Sequence, residues 1–171
     1  MIKKFKLLNK SLENQDVKSL EAEASHIYSD LILTDLVDLH LSEYEYNPAQ
    51  AVEELGLDEE LIHELIEDYV SQIIKSLVPF EKNLQILQES KNNDRTLDYT
   101  SLRELAHKNL GVARNLRIKN AEILLYELMK KEDLQYLILC LDALEVASIK
   151  LNPQRAYNTL KLIQVKKLFN I

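Results

Sequence analysis

Apolar residues recur three and four positions apart along almost the whole chain, the spacing of amphipathic helices. Asn47-Pro48-Ala49-Gln50 supplies an Asn N-cap, a proline at the first helical position and a Gln where a capping box wants it. Gly56 then ends that short helix as a left-handed C-cap. Asp58 caps a longer helix whose apolar stripe is Leu61, Ile62, Leu65, Ile66, Tyr69, Ile73 and Leu77. Pro79, which lacks an N–H, either kinks this helix or opens the next one. Leu84, Ile86 and Leu87 carry the pattern on to the polar run 90–95, which reads as a loop. Thr100 or Ser101 starts the next helix, with Glu104 completing a second capping box after Ser101, and it runs to about Asn115. Helices over 118–131 and from the Glu132-Asp133 turn to Asn152-Pro153 follow, and 154–171 forms one more. Before Asn47, Phe5, Leu8 and Leu12 suggest one helix, and Leu20, Ala24, Ile27 and Leu31 another. Loops this short favour antiparallel neighbours. The expected fold is therefore all-α, an antiparallel four-helix bundle with additional N- and C-terminal helices.

Composition narrows the class. A chain of 171 residues is one domain, or one domain plus an appendage, and is long enough to fold without a disulfide or a structural metal. The net charge of −7 argues against a general nucleic-acid binder and leaves no broad basic face for an anionic membrane. Two glycines and three prolines rule out a glycine-rich phosphate loop. The single cysteine, Cys140, excludes an internal disulfide and any zinc site built on cysteine pairs; among Leu137, Ile138, Leu139 and Leu141 it reads as a buried apolar residue. No apolar run reaches ~18 residues and the N-terminus lacks a signal peptide's apolar stretch, so the expectation is a cytoplasmic protein without membrane insertion. The short basic stretch at 1–10 gives little membrane affinity, and packing is its default role. Tyr44 and Tyr46 read as packing residues rather than phosphorylation sites.

Chemistry concentrates in one helix. At about 100° per residue, Leu102, Leu105, Ala106, Ala113 and Leu116 share a core face over 100–116. His107 falls roughly opposite, at mid-helix, with Arg103 and Arg114 beside it. Gly111 comes one turn later, and a helical side chain leans over the turn before its own Cα. Residue 111 therefore covers the imidazole, and glycine leaves it open. A mid-helix glycine costs ~1 kcal/mol against alanine, so it serves either access to the histidine or close packing against a neighbour. A neutral imidazole is a nitrogen nucleophile, and guanidiniums can meet phosphoryl oxygens bidentately.

Ala106-His107-Lys108 followed by Gly111-Val112-Ala113, Asn115-Leu116-Arg117-Ile118, on the third long helix of a bundle, resembles the phospho-acceptor motif of histidine-containing phosphotransfer (HPt) domains. These read His-x-Leu-Lys-Gly followed by small residues, Asn and Leu. Tyr46-Asn47-Pro48, leading through Glu53-Glu54-Leu55-Gly56-Leu57 into a helix at Glu60, looks like the entry to such a domain. The resemblance covers about residues 47–150. It implies an HPt-like four-helix bundle over 47–152, an N-terminal extension over 1–46 and a C-terminal helix over 153–171. It further implies that His107 accepts a phosphoryl group from a response-regulator receiver aspartate and passes it to another. Such a protein is a carrier without catalytic turnover. It needs no cofactor, because the receiver supplies the Mg²⁺. Its partners would be a receiver domain and possibly a hybrid histidine kinase, with no nucleic acid. Carried over by position, Gly111 is the access glycine, and Arg103, Lys108, Leu110 and Arg114 line the phosphoryl and partner surface. The chain departs from the family where an apolar residue and a lysine should precede Gly111. Here they are Asn109 and Leu110, which turns Asn109 toward the core and Leu110 toward the histidine side. Either another cation replaces the lysine, or the domain is a degenerate relative that binds without phosphotransfer.

Two other patterns compete. Glu-x-x-His occurs at Glu23/His26, Glu60/His63 and Glu104/His107, the spacing used in di-iron bundles, but helical angles turn the second and third pairs away from their helices' core stripes. Asp16 to Ser25 matches Asp98 to His107 at Asp, Ser, Leu and Ala, a possible half-repeat with Ser25 in the histidine position.

Overall fold

The computed structural model describes residues 12–169. These form α1 (Val17–Leu33), α2 (Pro48–Leu55), α3 (Glu59–Asn92), α4 (Thr100–Asn115), α5 (Lys119–Lys130), α6 (Leu134–Leu151) and α7 (Pro153–Leu168). Two 3₁₀ turns, Val37–Leu39 and Leu41–Glu43, link α1 to α2, and no strand occurs among the described residues. The protein is all-helical. The helix suggested by Phe5 and Leu8 lies outside the described residues.

Two helices begin on caps that the sequence marks, Asn47 and Asp58. The Asp16, Asn47, Asp58, Asp133 and Asn152 side chains each accept a backbone N–H from the first turn of the helix they precede. The exceptions are α5, which follows Ile118 without a side-chain cap, and α4. Ser101 lies inside the helix rather than capping it, and Asp98 instead accepts the Thr100 N–H at 3.0 Å, so the capping box with Glu104 does not form. Gly56 ends α2 at φ 67°, as its composition requires. α3 departs more from expectation. It continues straight through Pro79 and on through Lys91 and Asn92 of the polar run. Buried Leu77, Phe80, Leu84 and Leu87 on its core face hold the helix together across the missing N–H. It stops where Asp94 takes φ 53°: the Arg95 N–H then reaches the Ser90 carbonyl (2.8 Å) and the Asp94 N–H reaches Lys91 (3.2 Å), a Schellman closure without glycine.

The helices are arranged around α6, which packs against α1, α3, α5 and α7. Every residue from Cys140 to Ile149 is buried, the polar Asp142, Glu145 and Ser148 included. α4 lies outside this group, docked on α3 and α5. Thus α3–α6 close one four-helix ring, while α1 and α7 complete a second around the shared α3 and α6. Both flanking helices belong to one continuous core: Leu20, Ala24 and Tyr28 of α1 and Ala156 and Leu160 of α7 are buried with the rest. The divisions at 46/47 and 152/153 are therefore not breaks in packing. Cys140 is fully buried, and burial pushes its thiol up to about 12. No helix among the described residues is long and apolar enough to cross a membrane.

If α1 and α7 are integral, Leu20→Ala and Leu160→Ala should each cost about 2–5 kcal/mol, the range for emptying a buried leucine site. Urea unfolding should stay a single transition in both variants; an early, separate transition would mean that these helices are appendages.

Candidate functional site

On α4 the residues facing inward are Leu102, Ala106, Asn109, Leu110 and Ala113. Because α4 touches only one side of the assembly, a broad arc stays open, carrying Ser101, Glu104, His107, Lys108, Gly111, Arg114 and Asn115. His107 is exposed within it and, among the described residues, makes no hydrogen bond or ion pair. Gly111 is exposed one turn away, and a Cβ built on it meets nothing within 4 Å. Close packing therefore does not explain this glycine.

The remaining site residues fall less simply. Arg103 pairs with Glu132 across the gap to the α5–α6 turn, with its guanidinium 5.4 Å from the centre of the Tyr99 ring. Tyr99 in turn donates its hydroxyl to the Glu132 carbonyl at 2.7 Å, so this corner is tied together three ways. Arg114 pairs with Glu122 of α5 at 3.3 Å. Both guanidiniums thus flank the histidine, each already holding a carboxylate. Such exposed pairs contribute about 1 kcal/mol or less, so either arginine can be drawn to a stronger anion at little cost. Lys108 is exposed and holds no carboxylate among the described residues. Sequence reasoning missed its neighbour across the helix pair: Lys75 of α3 lines the same shallow groove as Lys108, together with Ser76, Pro79, Leu105 and Arg155. Helical spacing puts Lys75 on the outside of α3, but only the docking of α4 brings it beside Lys108.

Leu110 does not line a partner surface. It is buried at 2% exposure, because α5 packs over the edge of α4 that lies next to the histidine. Asn109 is buried as expected, and it is bonded. Its Nδ2 donates to the Leu105 carbonyl at 2.9 Å and its Oδ1 accepts from the Ser76 hydroxyl at 3.4 Å. The same hydroxyl lies 2.8 Å from the Gln72 carbonyl. Positions 109 and 110 are thus both interior.

Arg117 sits just past α4 at φ 64°, the left-handed position where glycine is usual. Its guanidinium bonds back to the Arg114 and Asn115 carbonyls and reaches Glu54 of α2 at 3.1 Å, which offsets the backbone cost and ties α2 to the end of the histidine helix. Of the three Glu-x-x-His pairs, Glu60, His63, Glu104, His107 and His26 are all exposed on separate surfaces, and the Glu23 carboxylate accepts from Gln15. No cluster of potential metal ligands forms among the described residues. The two halves of the suggested repeat both place an aspartate at a helix start, but Asp16 is the N-cap of α1 whereas Asp98 precedes the N-cap of α4. Comparisons with protein-family models, with curated proteins and with solved structures found no match.

Gly111→Ala should raise stability by about 0.5–1 kcal/mol, since the site is helical, exposed and uncrowded. A loss in thermal melting would mean that something does contact this position. Asn109→Leu should change stability by less than about 1 kcal/mol, because Ser76 keeps Gln72 as its partner. Asn109→Asp should lose about 3 kcal/mol or more by burying a charge.

Proposed function

We propose that the protein is an HPt-type phosphocarrier in which His107 accepts and donates a phosphoryl group between receiver aspartates. The observation that carries this reading is an unencumbered imidazole at the middle of α4, beside a glycine with nothing over it, within the motif Ala106-His107-Lys108-x-x-Gly111-Val112-Ala113. The placement suits the chemistry. A ring nitrogen attacks the phosphorus of an aspartyl phosphate; the P–N bond forms as the P–O bond to the aspartate breaks, and the carboxylate leaves with its electron pair. The receiver, with its Mg²⁺, stabilises the charge developing on the phosphoryl oxygens. The carrier need supply only an accessible nucleophile, a docking face and cations within reach. Lys108 holds no carboxylate among the described residues, and Lys75 of α3 lines a groove with it. Arg103 and Arg114 take part by exchanging their carboxylates for the phosphoryl group. The acyl phosphate and phosphoimidazole are both high-energy species, so transfer is reversible. The reading implies a cytoplasmic protein with a receiver domain as partner.

A second reading has one observation in its favour. Both arginines beside His107 are held by glutamates and the lysine usual before the glycine is a buried leucine, which suits a relative that binds receivers without accepting phosphate.

Incubation with a panel of phosphorylated receiver domains distinguishes the two. Acid-labile, alkali-stable label on the wild type and none on His107→Ala, with melting temperatures within a degree or two, is the expected result. Receiver binding without label would establish the second reading. A large fall in melting temperature for His107→Ala would make the histidine structural. Within an active protein, Gly111→Gln should slow transfer at least tenfold without loss of fold, by restoring cover over the imidazole.

A further inference from the structure

The phosphocarrier reading leaves unused a cavity of about 250 Å³ to which α4 contributes no residue. It opens where α1, α3, the start of α5 and the C-terminal end of α6 meet beneath the segment 44–48. Four tyrosines line it, Tyr28, Tyr44, Tyr46 and Tyr69, with Asn120 and Lys150. The first three come from the part of the chain before the HPt-like motif, so the cavity exists only because α1 and the strap after it pack on the bundle.

Its polar groups are unevenly matched. Tyr69 is 2% exposed, and among the described residues its hydroxyl has no hydrogen-bond partner. The Tyr46 hydroxyl is buried and likewise unpartnered among the described residues. An unmet buried hydroxyl costs about 1–3 kcal/mol, and both tyrosines that carry one line this cavity. Burial raises the phenols of Tyr28, Tyr46 and Tyr69 above their ordinary value, so all three stay protonated. Asn120 is already used: its Nδ2 donates to the Tyr28 hydroxyl at 3.1 Å and its Oδ1 accepts the Ala121 N–H at 2.8 Å. The Lys150 ammonium lies 4.4 Å from the centre of the Tyr28 ring and holds no carboxylate among the described residues. The surplus is therefore donors and positive charge, set among aromatic faces. Glu45, exposed at the rim, disfavours a second negative charge on whatever enters. For scale, a cavity of about 150 Å³ holds a benzene ring, so this one has room for a ring with a substituent.

We infer that the cavity is a ligand site, separate from His107, for a small aromatic monocarboxylate. Its carboxylate accepts from the Tyr69 and Tyr46 hydroxyls and pairs with Lys150, and its ring lies against the tyrosine faces. The site places a small-molecule input on the same rigid core that carries the histidine helix. It does not depend on phosphotransfer.

Benzoate is the direct probe, with benzyl alcohol and benzylammonium as neutral and cationic isosteres. Calorimetric titration of the full chain should give saturable benzoate binding at one site per chain, at least tenfold tighter than either isostere. Tyr69→Phe and Lys150→Gln should each weaken it about tenfold, equivalent to 1.4 kcal/mol. Tyr69→Phe should fold at least as well as the wild type, because it removes an unmet hydroxyl; were it to misfold, Tyr46→Phe with Lys150→Gln would carry the test. His107→Ala should bind benzoate like the wild type. No saturable benzoate binding, equal binding of all three probes, or benzoate binding indifferent to these substitutions would each overturn the proposal, leaving a cavity filled by water.

Discussion

Burial of α6 on every side is the constraint on which the rest of the structure depends. From Cys140 to Ile149 no residue reaches the surface, so four other helices must surround this one: α1, α3, α5 and α7. That count exceeds what a single four-helix ring can supply, because in such a ring each member has only two adjacent neighbours and one across the core. The segments on either side of the HPt-like stretch answer this demand. α1 and α7 cover the face of α6 that the ring of α3–α6 leaves open, and their own buried leucines and alanines join the same core.

The same constraint places the histidine. With its neighbours occupied around α6, α4 is left at the edge, packed chiefly on α3 and α5. A helix gripped from two adjacent directions buries about half its circumference and leaves the rest to solvent. His107 and Gly111 occupy that free arc. Asn109 and Leu110 fall in the gripped arc, which is why the pair that departs from the HPt pattern ends up in the interior instead of beside the phosphoryl position. The departure changes the core and leaves the approach to His107 untouched. A site of this kind asks little of the protein around it: a stiff helix, an uncovered ring and nearby charge that can be redirected.

Legibility in the sequence followed the range of each interaction. Helix starts set by a capping side chain within three residues were readable at Asn47 and Asp58, because the cap and its N–H are neighbours in the chain. The end of α4 near Asn115 was readable too, whereas α3 runs on into the polar segment read as a loop and closes at Asp94, in the left-handed region without glycine, which nothing in the local pattern announces. Pro79 was ambiguous for the same reason: the packing of Leu77, Phe80 and Leu84 that carries α3 through it is tertiary. At the candidate site the exposed histidine and open glycine followed from helical angles alone. The carboxylate partners of Arg103 and Arg114, the proximity of Lys75 and the burial of Leu110 all depend on which helices neighbour α4, which periodicity does not encode. The tyrosine cavity is the extreme case, since its lining residues lie as far apart as 28 and 150.

The central claim is that the exposed imidazole of α4 is a phosphoryl carrier, and the most direct measurement is ³¹P NMR of the protein after incubation with a phosphorylated receiver. The account predicts a resonance in the phosphoramidate region that persists in alkali, disappears on acidification and is missing from His107→Gln. A protein that binds the receiver yet shows no P–N resonance, or one whose resonance survives His107→Gln, would contradict it.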